Sequence, residues 1–249
     1  MTTEVCLTID VEDWYDGMAV LGEPIARPRG ARSGLSGLAS LLGSARDKST
    51  VTLFVVGNYA ATVRSELADL VASGHEIASH GPDHGRLPGN PAALLEWLRQ
   101  GRAMVEDLVQ VPVRGFRSPR FDIPQTLGLA RYRDLLAEAG FQYVSDTSRL
   151  GEGSPVQELP VLTRRRIPIG GGSYQRLLPR AAISAALAST TGPAVLYYHS
   201  YDFGATLPSR GSIRSMAMAK QLVGRGRIAG VFSQILSRYG SKACSHVEW

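Results

Sequence analysis

No stretch of the sequence approaches the roughly 18 consecutive apolar residues needed to cross a bilayer, so no transmembrane segment is expected. The start, MTTEVCLTIDVEDW, has carboxylates where a secretion signal would have a basic region and a long apolar stretch. It points to a cytoplasmic location. Cysteine is scarce. Cys6 and Cys244 stand near opposite ends, and neither a disulfide framework nor a cysteine metal site is indicated. Linkers, low-complexity tracts and fixed-period repeats are missing, which makes one domain over residues 1–249 the simplest organisation. No basic stretch is interleaved with aromatics and no nucleic-acid-binding motif occurs, so nucleic acid is not an expected partner.

What is present suits a packed globular chain: 44% apolar and 20% charged residues, enough over 249 residues to bury a sizeable core. The net charge of +5 is carried mostly by arginine, including the run Arg164-Arg165-Arg166. This balance fits a solvated basic face or an anionic partner such as a nucleotide sugar, a phosphate-linked lipid or an acidic glycan.

Short β-branched runs alternate with helical patterns. EVCLTIDV, VTLFVVG, HEIAS, VRGFRS, FQYVSD, PAVLYYHS and AGVFSQ read as strands. Residues 59–72, 91–109, 124–139 and 179–190 carry apolar positions three and four apart, as helices do, and Gly74, Gly140 and Gly192 fall where helix caps belong. This rhythm predicts an α/β protein of repeated βα units around a parallel sheet closed, or nearly closed, into a barrel. Residues 151–178 depart from it and suggest a short hairpin or extended excursion beside the barrel mouth. Residues 176–191 are apolar and basic enough to touch a membrane surface, although packing against the barrel is the simpler expectation.

In such folds chemistry gathers at the carboxyl ends of strands, and polar candidates cluster there. His80 and His84 follow HEIAS; imidazoles four apart share a face if a helical turn begins, which Pro82 permits. The pair suits a metal site or an ordinary surface turn. Asp10, Glu12 and Asp13 end the first run. The period of two sets Asp10 and Glu12 on one side, with Asp13 on the other unless the strand has already ended, and the cluster either caps a loop or holds a cation beside a free base. Arg117 could pair with Asp10 and keep it ionised and oriented, or form a structural salt bridge. His199 could act as a general acid near neutral pH, or be structural.

Taken together, "LTIDVEDWY", "HEIASHGPDHGRL", "VRGFRSPRFDI", "LLAEAGFQYVSD", "IGGGSYQRLLP" and "AVLYYHSYDF" resemble, in order and over nearly the whole length, the polysaccharide deacetylases. These form carbohydrate esterase family 4 with the NodB-homology fold, and the resemblance is closest to the branch associated with exopolysaccharide synthesis and exosortase systems. It implies a distorted (β/α)7-type barrel and metal-dependent removal of an acetyl group from an N-acetylated sugar. By position, Asp10 would be the base, Arg117 its orienting partner and His199 the acid. His80 and His84 would be metal ligands, with Glu12 or Asp13 as the third. Two departures stand out. Val11 follows Asp10 where many relatives have a second aspartate, and Arg120 stands where many have an aromatic, though the peptide N–H near it could help bind an oxyanion. Asp146 is the candidate to assist the acid histidine. Such a ligand set suits Zn2+, with Co2+ or Ni2+ as alternatives. The expected substrate is an acetamido sugar, phosphorylated or linked to a nucleotide or lipid. An amidohydrolase acting on a ureido or cyclic amide would share these residues, and a non-catalytic carbohydrate-binding protein would share the scaffold.

Overall fold

The computed structural model describes residues 4–45, 49–146, 154–164, 167–208 and 213–247. Its centre is a seven-stranded, wholly parallel sheet: β1 (Val5–Val11), β2 (Thr52–Val55), β3 (Glu76–Ser79), β4 (Gly115–Phe116), β5 (Tyr143–Val144), β6 (Gln157–Glu158) and β7 (Ala194–His199). The order β6-β5-β4-β3-β2-β1-β7 curls the sheet into a half-barrel. All seven residues of β1 are buried. Helices cover one face and the barrel interior takes the other, so the strand is largely apolar on both, interrupted by Thr8 and Asp10 on the inner face. Burying Leu7 and Ile9 stabilises by roughly 1.5–3 kcal/mol each, which helps offset the cost of drawing Asp10 inside.

Between the strands run the helices α1 (Trp14–Val20), α2 (Leu35–Gly43), α3 (Gly57–Ala60), α4 (Arg64–Ala72), α5 (Pro91–Val109) and α6 (Gly128–Glu138), then α7 (Gly172–Gln175), α8 (Arg180–Ala188), α9 (Met216–Leu222) and α10 (Ile228–Tyr239). The run AGVFSQ, expected as a strand, lies inside α10. Its apolar neighbours explain the difference. Ile228, Val231, Phe232, Ile235 and Leu236 recur at helical spacing and are all buried on one face, so the period of the longer window overrides the β-branched look of six residues. The seventh strand is instead β6, within the excursion.

That excursion crosses the open side of the half-barrel. Val161 bridges to Val195 and Gly171 to Tyr197 on β7, while Arg164 and Ile167 form a small antiparallel bridge. A chain that leaves β5 through β6 thereby reaches the far edge of the sheet. Arg165 and Arg166, part of the arginine run, lie outside the described residues. Residues 176–191 pack inward through Arg176, Ile183, Ala186 and Leu187.

Strand periodicity sorts the side chains. Val5, Leu7, Ile9 and Val11 belong to the large core under the helices, whereas Cys6, Phe54, Ala78, Val195 and Tyr197 form a second core inside the barrel. Counting by two from that inner set leads to Asp10, His80 and His199, which therefore face the interior at the carboxyl end. The opposite end is sealed by the tail. Cys244 N–H donates to Thr52 Oγ1, and Ser245 N–H to Glu76 Oε2. This places the Cys244 thiol against Cys6, both free and buried. No helix among the described residues is long and apolar enough to cross a membrane.

Candidate active site

The loop after β3 carries His80 and His84 without a helical turn; residues 82–85 form successive bends. It is held from both sides. Gly57 N–H donates to Gly81 O, Asn58 N–H to Pro82 O, and Gly85 N–H to Asp83 Oδ1. Gly81 has φ +83°, and a Cβ there would meet the Trp97 ring at 2.2 Å, so only glycine fits between the histidines and α5. The pair is brought together by this bracing, not by helical spacing.

His80 is 2% exposed, and its Nδ1 lies 2.9 Å from Arg117 O. Donation from Nδ1 to that carbonyl leaves the Nε2 lone pair presented to the cavity. Burial holds the His80 imidazole below its usual pKa, which also favours the neutral, ligating form. Glu12 Oε2 stands 2.5 Å from His84 Nε2 and 3.8 Å from His80 Nε2. Burial alone would raise the Glu12 carboxyl, yet His84, His199 and His80 hold it down at about 2.

One ligand atom from each of Glu12, His80 and His84 lies within 4.8 Å of the other two. Glu12 Oε2 and His84 Nδ1 are buried without an aligned hydrogen bond. A deprotonated carboxylate and two imidazole nitrogens turned to one point form a donor set that fits a divalent cation such as Zn2+, Co2+ or Ni2+. Asp13, the competing third ligand, is placed elsewhere. It caps α1 by accepting from Tyr15 N–H and pairs with Arg27 at 2.6 Å. The backbone is still extended at Asp13 (φ −84°, ψ 125°), so the alternation of β1 carries past Val11 and sends Glu12 and Asp13 to opposite sides.

Asp10 and Arg117 form the second group. Arg117 Nη1 donates to Asp10 Oδ1 at 2.6 Å. The guanidinium is fully buried, donates also to Ser145 O and Ser145 Oγ, and lies 4.1 Å from the centroid of Phe54. With its donors spread over fixed partners, it can hold the carboxylate in one orientation.

His199 forms the third group. It stacks on Tyr201 at 4.7 Å with 7° between planes. Its Nδ1 faces Asp202 Oδ2 at 3.5 Å, while Nε2 turns towards Glu12 Oε1 at 3.8 Å. Burial pushes its pKa down, but the bond to Asp202 and the Glu12 charge outweigh that and raise it. Asp202 is clamped in turn by the buried Arg176, whose Nη1 reaches Gln221 O at 2.5 Å. Asp146, the expected assistant to His199, serves another purpose. It accepts from Ser118 N–H and Oγ–H and from Tyr132 O–H, fixing the loop that follows Arg117. Asp202 lies three residues after His199 in "HSYD", a signal visible in the sequence; its lock, Arg176, is not.

All three groups open into one cavity of about 280 Å3, whose walls also include Trp14, Arg120, Phe121, Ser173 and Gln221. That is near the lower end of the ~300–1,000 Å3 typical of small-ligand sites, room for a sugar-sized group. Arg120 and Phe121 adopt φ +61° and +55°, a strained pair of the kind found at functional loops.

Residues 44–144 match the family model described as Polysaccharide deacetylase, and residues 135–247 match a domain of unknown function, DUF3473. These findings support the polysaccharide-deacetylase family. A search of curated proteins finds no match. Among solved structures, the chain is similar to a protein of Mycobacterium smegmatis assigned to the polysaccharide deacetylases, with TM-score 0.66, 20% identity, and 96% of this chain and 86% of that one covered. It is also similar to a family 4 acetyl xylan esterase from Clostridium thermocellum in complex with a cobalt ion, with TM-score 0.53, 13% identity and coverage of 97% and 87%. A pseudoenzyme of the same family from Bacillus anthracis gives TM-score 0.55 and 11% identity, covering 99% of this chain and 65% of its own length. At these identities the likeness is one of fold. A pseudoenzyme on that fold means that the argument for activity must come from the side chains.

Proposed function

We propose that this chain is a metal-dependent hydrolase that removes acetyl groups from acetylated carbohydrates, with an acetamido sugar as the preferred substrate. The observation that carries the reading is the convergence on one cavity of a carboxylate fixed by a buried guanidinium, a Glu-His-His donor set and a histidine backed by an aspartate. Each meets one need of amide hydrolysis: a base, charge stabilisation and a proton for a poor leaving group.

Glu12, His80 and His84 would hold the cation, and a cation there supplies Lewis acidity, making water more acidic and a carbonyl more electrophilic. Asp10 takes the proton of the attacking water, its carboxylate oriented by Arg117. His199, held by Asp202 on the Nδ1 side, delivers a proton to the departing amine nitrogen from Nε2. The Asp202 carboxylate beside Nδ1 favours the protonated form of His199. Water becomes part of the released acetate, the sugar leaves as an amine, and no covalent enzyme intermediate is needed. The rich arginine content supports a phosphorylated, nucleotide-linked or lipid-linked acceptor.

The test is acetate release from free, nucleotide-linked and polymeric acetamido sugars and from O-acetylated xylan, by metal-reconstituted protein beside His80→Ala. Release from an acetamido sugar that His80→Ala abolishes supports the proposal. Release from acetylated xylan alone makes it an O-esterase. Turnover of ureido or cyclic amides alone makes it the amidohydrolase, and binding without turnover makes it a carbohydrate-binding protein.

A further inference from the structure

Exposed large apolar side chains are unevenly spread. Among the described residues eight large apolar side chains are between 41% and 72% exposed; Leu129 and Ile167 stand apart, while Val20, Leu21, Tyr174, Leu177, Met216 and Val223 lie on three elements or within two residues of their ends: α1, α7 and α9. Those elements frame the cavity mouth, which they line through Met18, Leu21, Ser173 and Gln221. The groups are neighbours. Arg176 Nη1 bonds to Lys220 O and Gln221 O at the end of α9, Arg227 bonds back to Arg176 O and Leu178 O, and Arg176 packs on Gly224, so the backbone that carries Leu177 runs alongside the one that carries Val223. On the other flank α9 packs on α1 through Met218, Leu222 and Met18.

The charge around this rim is of one sign on the α7 and α9 side. From Gly172 to Arg227, the stretch that carries α7 and α9, the sequence holds seven Arg and Lys but a single acid, Asp202, which is buried and paired with Arg176. Arg180, Arg214, Lys220 and Arg227 are exposed. Asp16, exposed on α1, limits the cationic field to that side, and Val20 and Leu21 extend the apolar rim across the mouth.

We infer that this rim docks on an anionic lipid surface, with the cavity opening towards the bilayer. A water-soluble polyanion would be met by the cations alone and would leave the apolar side chains in water. A headgroup layer takes both, apolar tips entering the acyl boundary while the arginines meet lipid phosphates. Contiguous apolar exposure beside a cavity is otherwise unfavourable for a soluble surface. Docking requires no turnover, so it stands or falls apart from the deacetylase reading.

The experiment is flotation of the full chain with vesicles of phosphatidylcholine alone and of equimolar phosphatidylcholine and phosphatidylglycerol. The expected result is binding to the anionic vesicles only, reduced more than about tenfold by Arg180→Glu with Arg214→Glu and, separately, by Leu177→Ser with Met216→Ser. All four positions are exposed, and unchanged melting of the variants shows that the fold is intact. Failure to bind anionic vesicles overturns the inference. Binding insensitive to the apolar pair but abolished by soluble polyphosphate also overturns it, in favour of an acidic soluble ligand.

Discussion

Asp10 and His199 are register partners on adjacent parallel strands, β1 and β7. The proposed base and acid are thus tied through neighbouring backbones, and the cation donors sit on the loops that extend β1 and β3. A sheet-borne pair keeps its separation without help from loops, which is the preorganisation that hydrolysis needs.

Asp10→Asn is predicted to lower kcat by roughly 10²–10⁴-fold, the range for losing a general base, while cation binding persists. It also leaves the buried Arg117 charge without its counter-ion, so melting temperature should fall measurably. Steady-state kinetics and thermal melting of one protein preparation check both. Unchanged kcat would remove Asp10 from the chemistry.

Asp202→Asn should move the alkaline limb of the pH–rate profile to lower pH. The sign follows from the environment of His199: burial depresses its pKa, and the Asp202 carboxylate beside Nδ1 raises it. A proton donor works only below its pKa, so loss of a raising carboxylate shortens the active range from the alkaline side. A limb that stays in place would make Asp202 a structural residue only.

Asp13→Ala should leave activity and cation content intact. The cost falls on stability, because the side chain caps α1 and pairs with Arg27. Loss of cap and pair together is expected near ~1 kcal/mol, read as a shift in denaturant midpoint. Loss of the cation in this variant would return Asp13 to the ligand set.

Cys6 and Cys244 should not react with a thiol reagent in the native protein. The hydrogen bond to Cys244 and burial push the Cys6 thiol far above its ordinary pKa, so Cys6 has little thiolate to attack, and Cys244 is shielded by burial. Reaction should appear only in denaturant; rapid native labelling of both would mean that the tail opens readily.

Much of this architecture was legible in the chain. Residues 91–109 were read correctly to both ends because Asn90 caps the helix, Pro91 suits its first turn and the apolar stripe is long. Six of the seven strand runs contain strands for a similar reason: β-branched residues bounded by turn signals. The run in α10 misled because six residues are too few to separate the two periods. Pairings across space were harder. Asp146 and Asp202 are both aspartates near an expected site residue, and only the packing of Tyr132 on one and Arg176 on the other decides their tasks. Asp13 is separable from Glu12 by the alternation of the strand, which holds because the chain stays extended past Val11.

The most direct measurement is calorimetric titration of Zn2+ into metal-stripped protein, wild type beside Glu12→Gln, His80→Ala and His84→Ala. One equivalent per chain for the wild type, with at least a tenfold loss of affinity in each variant, on the order expected when a ligand is removed, is the predicted result. Undiminished binding in all three variants, or none in the wild type, would contradict a cation centre formed by these residues.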